Sequence, residues 1–231
     1  PADTPDGTDL ALDIHAAESD NYTVAAEQIS VLATTKHLVS LTSRALQDSF
    51  VYGTAPEISV TLTKMDDSAQ EEPSGTICIY LGSNSQGEKL AEVPVADAGE
   101  IVLDQKRLDA GQHSIYVEYS GDEEFAPTYA KITLSIAKKD LTVKPENITI
   151  KKGGQIPTVD GGIQILYDGF VEGEDETTPG VLTVEKEFRA ELPKEIDVNT
   201  VGTYPITLVG EATADNYNII KENGVLTIQK T

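Results

Sequence analysis

Carboxylates are the side chains of this sequence most able to do chemistry, and they come in clusters: Asp66-Asp67, Glu71-Glu72, Asp122-Glu123-Glu124, and Glu172 with Glu174-Asp175-Glu176. A carboxylate pair works as general acid and base only where its surroundings drive the two pKa values apart. No acidic pair here has neighbours that would do so, and hydrolysis needs in addition a concave site with paired roles. A hard cation is the other use for such clusters, since calcium takes about six to eight oxygens from turn carboxylates and backbone carbonyls. None of the clusters has EF-hand spacing. The richest supply is Glu172, Glu174, Asp175 and Glu176, which is expected to be either a calcium loop or a plain solvated one.

The remaining candidates are few. His15, His37 and His113 lie in unrelated contexts without metal-ligand spacing, so each reads as a strand or loop residue. No Gly-rich phosphate loop, nucleophile elbow or zinc motif is present. The single cysteine, Cys78, cannot form an intrachain disulfide, and its apolar run Thr76-Ile77-Cys78-Ile79-Tyr80 predicts a buried, inert thiol. Catalytic residues are therefore not expected, nor any cofactor apart from calcium.

Charge narrows the partners. With 39 acidic against 17 basic residues the formal net charge is −22, which disfavours binding to a nucleic-acid backbone or an anionic membrane. Solubility through self-repulsion is the simplest consequence of that charge. No stretch approaches the roughly 18 apolar residues of a membrane span, and no signal peptide is seen. A chain of 231 residues is long enough for about two domains, and it reads as opening inside a module.

The elements that position these residues are organised by a repeat. Asp13-Ile14-His15 through Asp20-Asn21-Tyr22 and Ile29-Ser30-Val31-Leu32 to Lys36 aligns without gaps on Tyr116 through Lys139, so that Tyr22 falls on Phe125 and Ile29, Val31 and Ala33 on Ile132, Leu134 and Ile136. A third copy runs from Tyr204-Pro205-Ile206-Thr207-Leu208 through Asp215-Asn216-Tyr217 to Val225-Leu226-Thr227-Ile228. Each copy is a strand, an acidic turn, an aromatic and a closing strand. Its spacing of about 100 residues is that of whole modules, each with its own core. A ring at a repeated position after a turn predicts a plug for the end of a sandwich, with ligand stacking as the alternative for Tyr22, Phe125 and Tyr217.

Between the aromatics, apolar residues alternate with polar ones over His37 to Thr42, Ser49 to Tyr52, Ile58 to Thr63, Thr76 to Leu81, Lys89 to Val95, Glu100 to Asp104, His113 to Tyr119 and Ala130 to Ile136. Turn sequences such as Pro73-Ser74-Gly75, Asp109-Ala110-Gly111 and Ser120-Gly121-Asp122 separate them, which predicts an antiparallel sandwich. The run Val24 to Arg44 is expected to be strand despite a helix-compatible stretch, because of its β-branched content and the repeat. Gly153-Gly154 predicts a turn, and Asn223-Gly224 a two-residue hairpin. Lys138-Lys139 and Lys151-Lys152 are expected to guard sheet edges. No Gly/Ser-rich or Pro-rich linker precedes Lys139-Asp140-Leu141, so a short joint restricting bending is expected there.

Two stretches resemble known families. Pro73-Ser74-Gly75-Thr76 through Leu108-Asp109-Ala110-Gly111-Gln112-His113, Tyr119-Ser120-Gly121-Asp122 and Phe125 is similar to the immunoglobulin-like repeats of large bacterial surface proteins, over about residues 37–138. Tyr167-Asp168-Gly169-Phe170-Val171-Glu172-Gly173-Glu174, Val201-Gly202-Thr203-Tyr204-Pro205-Ile206, Asn216-Tyr217 and Asn223-Gly224-Val225-Leu226-Thr227-Ile228 resemble the MBG surface-glycoprotein repeat, over residues 139–231, with a longer, more charged insertion around Glu185 to Asp197. The resemblance implies an all-β chain of tandem sandwich modules, the last either a full sandwich or a smaller sheet with a short helical turn. Residues 1–36, whose two strands cannot bury a core alone, are expected to be the final strands of a truncated module or to pack against a neighbouring chain. The resemblance further implies an extracellular, non-catalytic stalk, spacer or adhesin segment of a bacterial cell-surface or secreted protein. The alternatives are a module binding a surface glycan or host protein, or an accessory region of a secreted glycoside hydrolase. Fold alone does not fix the choice.

Overall fold

The computed structural model describes residues 8–15, 26–33, 36–65, 69–104, 107–157 and 162–230, the first two stretches as backbone only. The expectations for Asn21, Tyr22 and Asp66-Asp67, and for the side chain of His15, lie outside what is described. In chain order the strands are β1 (Thr8–His15), β2 (Ala26–Ala33), β3 (Val39–Ala45), β4 (Phe50–Val51), β5 (Glu57–Lys64), β6 (Thr76–Leu81), β7 (Glu88–Pro94), β8 (Glu100–Val102), β9 (Gly111–Tyr119), β10 (Thr128–Ala137), β11 (Lys139–Pro145), β12 (Ile148–Lys151), β13 (Ile165–Asp168), β14 (Thr183–Glu191), β15 (Gly202–Thr213), β16 (Tyr217–Lys221) and β17 (Gly224–Gln229). The one helical element among the described residues is a 3₁₀ turn at Val95–Asp97, so the short helical turn considered for the last module is not among its described residues. Two compact units result: Pro1–Arg44 with Ile58–Ile101 and Tyr116–Lys131, and Ala45–Glu57 with Val102–Ile115 and Ile132–Thr231.

Strands β1 and β2 form an antiparallel ladder from Thr8↔Ala33 to His15↔Ala26; within the run Val24 to Arg44, Ala26–Ala33 and the residues from Val39 onward are strand, while 36–38 lie outside any strand. The next stretch builds a five-stranded sheet in the order β4-β10-β9-β6-β7 and a three-stranded sheet β3-β5-β8. Period-2 alternation decides which side chains are dry. Ile58 and Val60 of β5, Ile77 and Ile79 of β6, Ile115, Val117 and Tyr119 of β9, and Leu134 and Ile136 of β10 are all buried. Each such side chain contributes about 1.5 to 3 kcal/mol by leaving water.

That alternation corrects the expectation for Cys78. Lying between Ile77 and Ile79, it opposes Glu92 of β7 and points away from the core, where it is only half-buried. An apolar run concealed a period-2 strand.

The last stretch forms two sheets, β13-β11-β16 and β12-β17-β15-β14. Ile163, Ala190, Ile206 and Leu226 make a core cluster in it, packed on by the partly buried Ile148, Ile150, Ile165 and Tyr204. Pairing is not antiparallel throughout: β4 runs parallel to β10, β11 to β16 and β12 to β17. The charged insertion is accommodated by β14, which pairs with β15 through two register shifts, at Val184/Lys186 and Lys186/Arg189. Lys151 does sit on an edge strand, β12, whereas Lys139 belongs to the central β11.

The hairpin expected at Asn223-Gly224 does not form. Strands β16 and β17 lie in different sheets, and Gly224 has no positive φ. Instead the Asn223 side-chain oxygen accepts the Leu208 N–H at 3.1 Å, and a Cβ on Gly224 would lie 2.8 Å from the Pro145 carbonyl oxygen. The pair marks a crossover where backbones touch, a use of glycine that a turn motif imitates. Gly153-Gly154 is the expected turn: Gly153 has φ +76° and the Gly154 N–H bonds the Lys151 carbonyl at 2.8 Å.

Candidate functional site

The acidic turn and aromatic that define the repeat form a corner in each module. In the first compact unit Phe125 is completely buried, packs at 5.8 Å on the His37 ring, and forms a parallel bridge with His37. In the second unit Tyr217 is buried and opens β16, opposite Lys139, the first residue of β11. Both rings are plugs, as the repeat predicts. The first corner is tied by Asp122: Oδ1 accepts the N–H groups of Phe125 at 2.7 Å and Glu124 at 2.9 Å, while Oδ2 accepts Ser74 N–H at 2.7 Å, Ser74 Oγ at 2.9 Å and the Tyr119 hydroxyl at 3.1 Å. Partial burial pushes the Asp122 pKa up, but these backbone and hydroxyl donors outweigh it and bring it down to about 2. Burial, and then the Asp122 carboxylate, push the Tyr119 phenol up. Gly121 holds φ +73° at this corner, and a Cβ there would meet the Phe125 carbonyl oxygen at 2.9 Å. Asp122 is thus a tie for the chain, with its lone pairs already used.

In the second unit the side chain of Glu174, only 12% exposed, accepts three hydrogen bonds. Its Oε1 accepts the Tyr52 hydroxyl at 2.6 Å and Arg107 Nη1 at 2.8 Å; its Oε2 accepts the Tyr217 hydroxyl at 2.5 Å. Arg107 Nη2 also reaches the Glu172 carbonyl at 3.0 Å, and the Val171 N–H donates to the Tyr217 hydroxyl oxygen at 2.9 Å. Tyr52 meets Tyr217 edge-on at 5.5 Å, with the Arg107 guanidinium 5.8 Å from the Tyr52 ring centre. Burial raises the Glu174 pKa, but the two phenols and Arg107 more than reverse that and hold it below the usual range. Burial, then Glu174, raise Tyr217 to about 12 and push Tyr52 up as well. A carboxylate this well supplied with donors is a structural anion, held ionised.

A third feature lies in the first unit, on the outer face of the five-stranded sheet. Tyr80, Tyr116 and Tyr129 stand on neighbouring strands, with ring centres 6.5 Å and 5.1 Å apart and Tyr129 58% exposed. Lys89 covers Tyr80 at 5.9 Å, and Lys131 lies 5.8 Å and 5.6 Å from Tyr116 and Tyr129. The alternation of β6 and β9 implies this row, though nothing in the spacing of Tyr80, Tyr116 and Tyr129 along the chain announces it.

Among the four residues considered for calcium, Glu174 faces Arg107 and the phenols. Asp175 Oδ1 accepts Thr177 N–H at 2.8 Å, Thr177 Oγ1 at 2.7 Å and Thr178 Oγ1 at 3.0 Å, which hold its pKa down. Glu172 and Glu176 are exposed, and among the described residues no group of three or more His, Cys, Asp or Glu side chains is placed to hold a metal ion. His37 and His113 are far apart in role: His37 packs at a tilt against Phe125, while His113 bonds the Asp109 carbonyl at 2.7 Å. Surface depressions exist, one of about 550 Å³ beside Lys186, Arg189, Glu191 and Lys221 and one of about 310 Å³ beside Glu71, Glu72 and Asp122. Tyr52 and Arg107 are the functional partners that the sequence did not reveal, because they come from loops more than sixty residues away from Glu174.

These features define an all-β chain of tandem sandwich modules in which Asp122 and Glu174 tie loops together through their hydrogen bonds. Residues 41–137 match the bacterial Ig-like domain (group 3), and residues 141–227 match the MBG domain (YGX type). The chain therefore carries a bacterial Ig-like domain followed directly by an MBG domain. Among solved structures it is similar to the fibronectin(III)-like modules of Clostridium thermocellum CbhA, at 11% identity and a TM-score of 0.30, covering 83% of this chain and 94% of that one. It is also similar to the Bacillus anthracis TIE protein, at 10% identity and a TM-score of 0.27, covering 82% of this chain and 41% of that one, so it spans less than half of that protein. No curated protein matches.

Proposed function

We propose that this chain is a non-catalytic extracellular stalk or spacer segment of a bacterial surface protein, displaying other parts of its parent away from the cell. The observation that carries this reading is the joint: β10 ends at Ala137 and β11 begins at Lys139, leaving Lys138 as the whole linker. A joint this short gives the chain no flexible coil to spend on reach. Asp122 and Glu174, two carboxylates held below the ordinary carboxylate range by the donors around them, are used to hold loops, which fits modules whose product is shape.

A second reading, binding of a neutral surface glycan, is favoured by the row Tyr80, Tyr116 and Tyr129, since exposed aromatic bodies with polar tips suit a polyol surface. One experiment separates the two. The chain is applied to arrays of glycans and host extracellular proteins, alongside Tyr129→Ala. Absence of saturable binding supports the spacer; saturable glycan binding lost in Tyr129→Ala replaces it with the second reading.

A further inference from the structure

The second compact unit contains more than the MBG domain. It also includes Ala45–Glu57, Val102–Ile115 and the end of β10, all from the Ig-like stretch, and the contacts they make with the MBG residues are specific. We propose that Val171, Glu174, Asn216 and Tyr217 form a socket that locks the preceding Ig-like module through Tyr52, Gly53, Arg107 and Asp109-Ala110, fixing the joint at Lys138. The proposal rests on the spacer reading and names the residues that make the spacer stiff.

Four contacts support it. Glu174 bonds two phenols, one from each module, and an arginine from the Ig-like module, so that parting them would break the Tyr52 and Arg107 bonds and leave Glu174 with Tyr217 alone. Asn216 works as a two-way clamp: its Oδ1 accepts the Ala110 N–H at 2.7 Å and its Nδ2 donates to Asp109 at 2.9 Å. Beside them, Gly53 with φ +89° lies so close to Val171 that a Cβ there would be 2.2 Å from Val171 Cγ1. Only glycine fits this approach. On the linker itself, Lys138 Nζ bonds the Ala214 carbonyl at 2.7 Å. Two of the socket residues, Asn216 and Tyr217, are the Asn-Tyr pair of the repeat. Their position is set by the corner, while their polar atoms face the neighbour.

The test uses the full chain with Cys78→Ser, Val102→Cys and Thr207→Cys, both labelled positions lying in the second compact unit, spin-labelled at the two new thiols and read by pulsed dipolar distance measurement, with amide hydrogen exchange in parallel. The expected result is one sharp distance in the otherwise native chain. In Glu174→Ala combined with Asn216→Ala the sharp peak is lost and the Ala110 and Val171 amides lose protection. Tyr52→Phe, which removes one hydroxyl and little else, should broaden the peak by less than the double variant. Circular dichroism confirms that each variant keeps its strands. A peak as sharp in the double variant as in the parent, or a broad one in the parent, overturns the socket. Glycan binding would overturn the spacer reading and leave this distance result unchanged, so the two failures are distinguishable.

Discussion

Asp122 accepts five hydrogen bonds, and its ionised form is what the first corner is built around. Its folded pKa, about 2, lies below the ordinary carboxylate value, so its contribution is complete above the unfolded pKa and disappears as pH falls through the folded one. The difference corresponds to roughly 2 kcal/mol, reduced toward 1 by the side chain's partial exposure. Asp122→Asn should therefore cost about 1 to 2 kcal/mol at pH 7, because an amide N–H₂ would be turned toward donors. By urea unfolding, its deficit should shrink between pH 5 and pH 2; a pH-independent deficit would falsify the assignment. At this scale the sequence was partly legible. Phe125 and Tyr217 could be read as plugs because repetition marks architecture. In the sequence Glu174 is one acid among four, because Tyr52 and Arg107 reach it across the fold.

Strands carried their own signal, since alternation is local and burial follows it. All eight strands expected between His37 and Ile136 are present, with Thr76–Leu81 matching residue for residue. The same alternation makes a sharp prediction within β6. Ile79→Ala should destabilise by about 2 to 4 kcal/mol, as a buried large-to-small change does, whereas the adjacent outward Cys78→Ser should cost under about 0.5 kcal/mol. Thermal and urea unfolding of both variants would check it, and equal losses would contradict the assigned facing. Crossovers were less legible. Asn223-Gly224 carries the composition of a tight turn, but the reason for its glycine is the Pro145 carbonyl on another strand. Gly224→Ala should cost about 1 to 3 kcal/mol through that contact. A hairpin turn, by contrast, would have tolerated Gly224→Asn, which is expected to be at least as harmful as alanine. Ranking the two variants by their urea midpoints distinguishes the alternatives.

For the whole molecule, a net charge of −22 attracts divalent cations as a diffuse atmosphere, and the question is whether any carboxylates concentrate that attraction into a site. A calcium ion needs several oxygens free to turn toward it. Within the stretch Glu172 to Glu176, Glu174 is committed to Arg107, Tyr52 and Tyr217, and Asp175 to Thr177 and Thr178. Recruiting Glu174 would bring a cation beside a guanidinium 2.8 Å from the same oxygen and would strip two phenols of their acceptor. Calcium and magnesium at equal millimolar concentration should accordingly raise the melting temperature by the same small amount, through screening of like charges alone. A calcium-specific rise, abolished by Glu172→Gln with Asp175→Asn but retained when Glu71 and Glu72 are both changed to Gln, would establish the loop as a true site. Only a site that recruited Glu174 as well would require Arg107 to leave it, and that form of the site and a locked joint at Lys138 exclude one another.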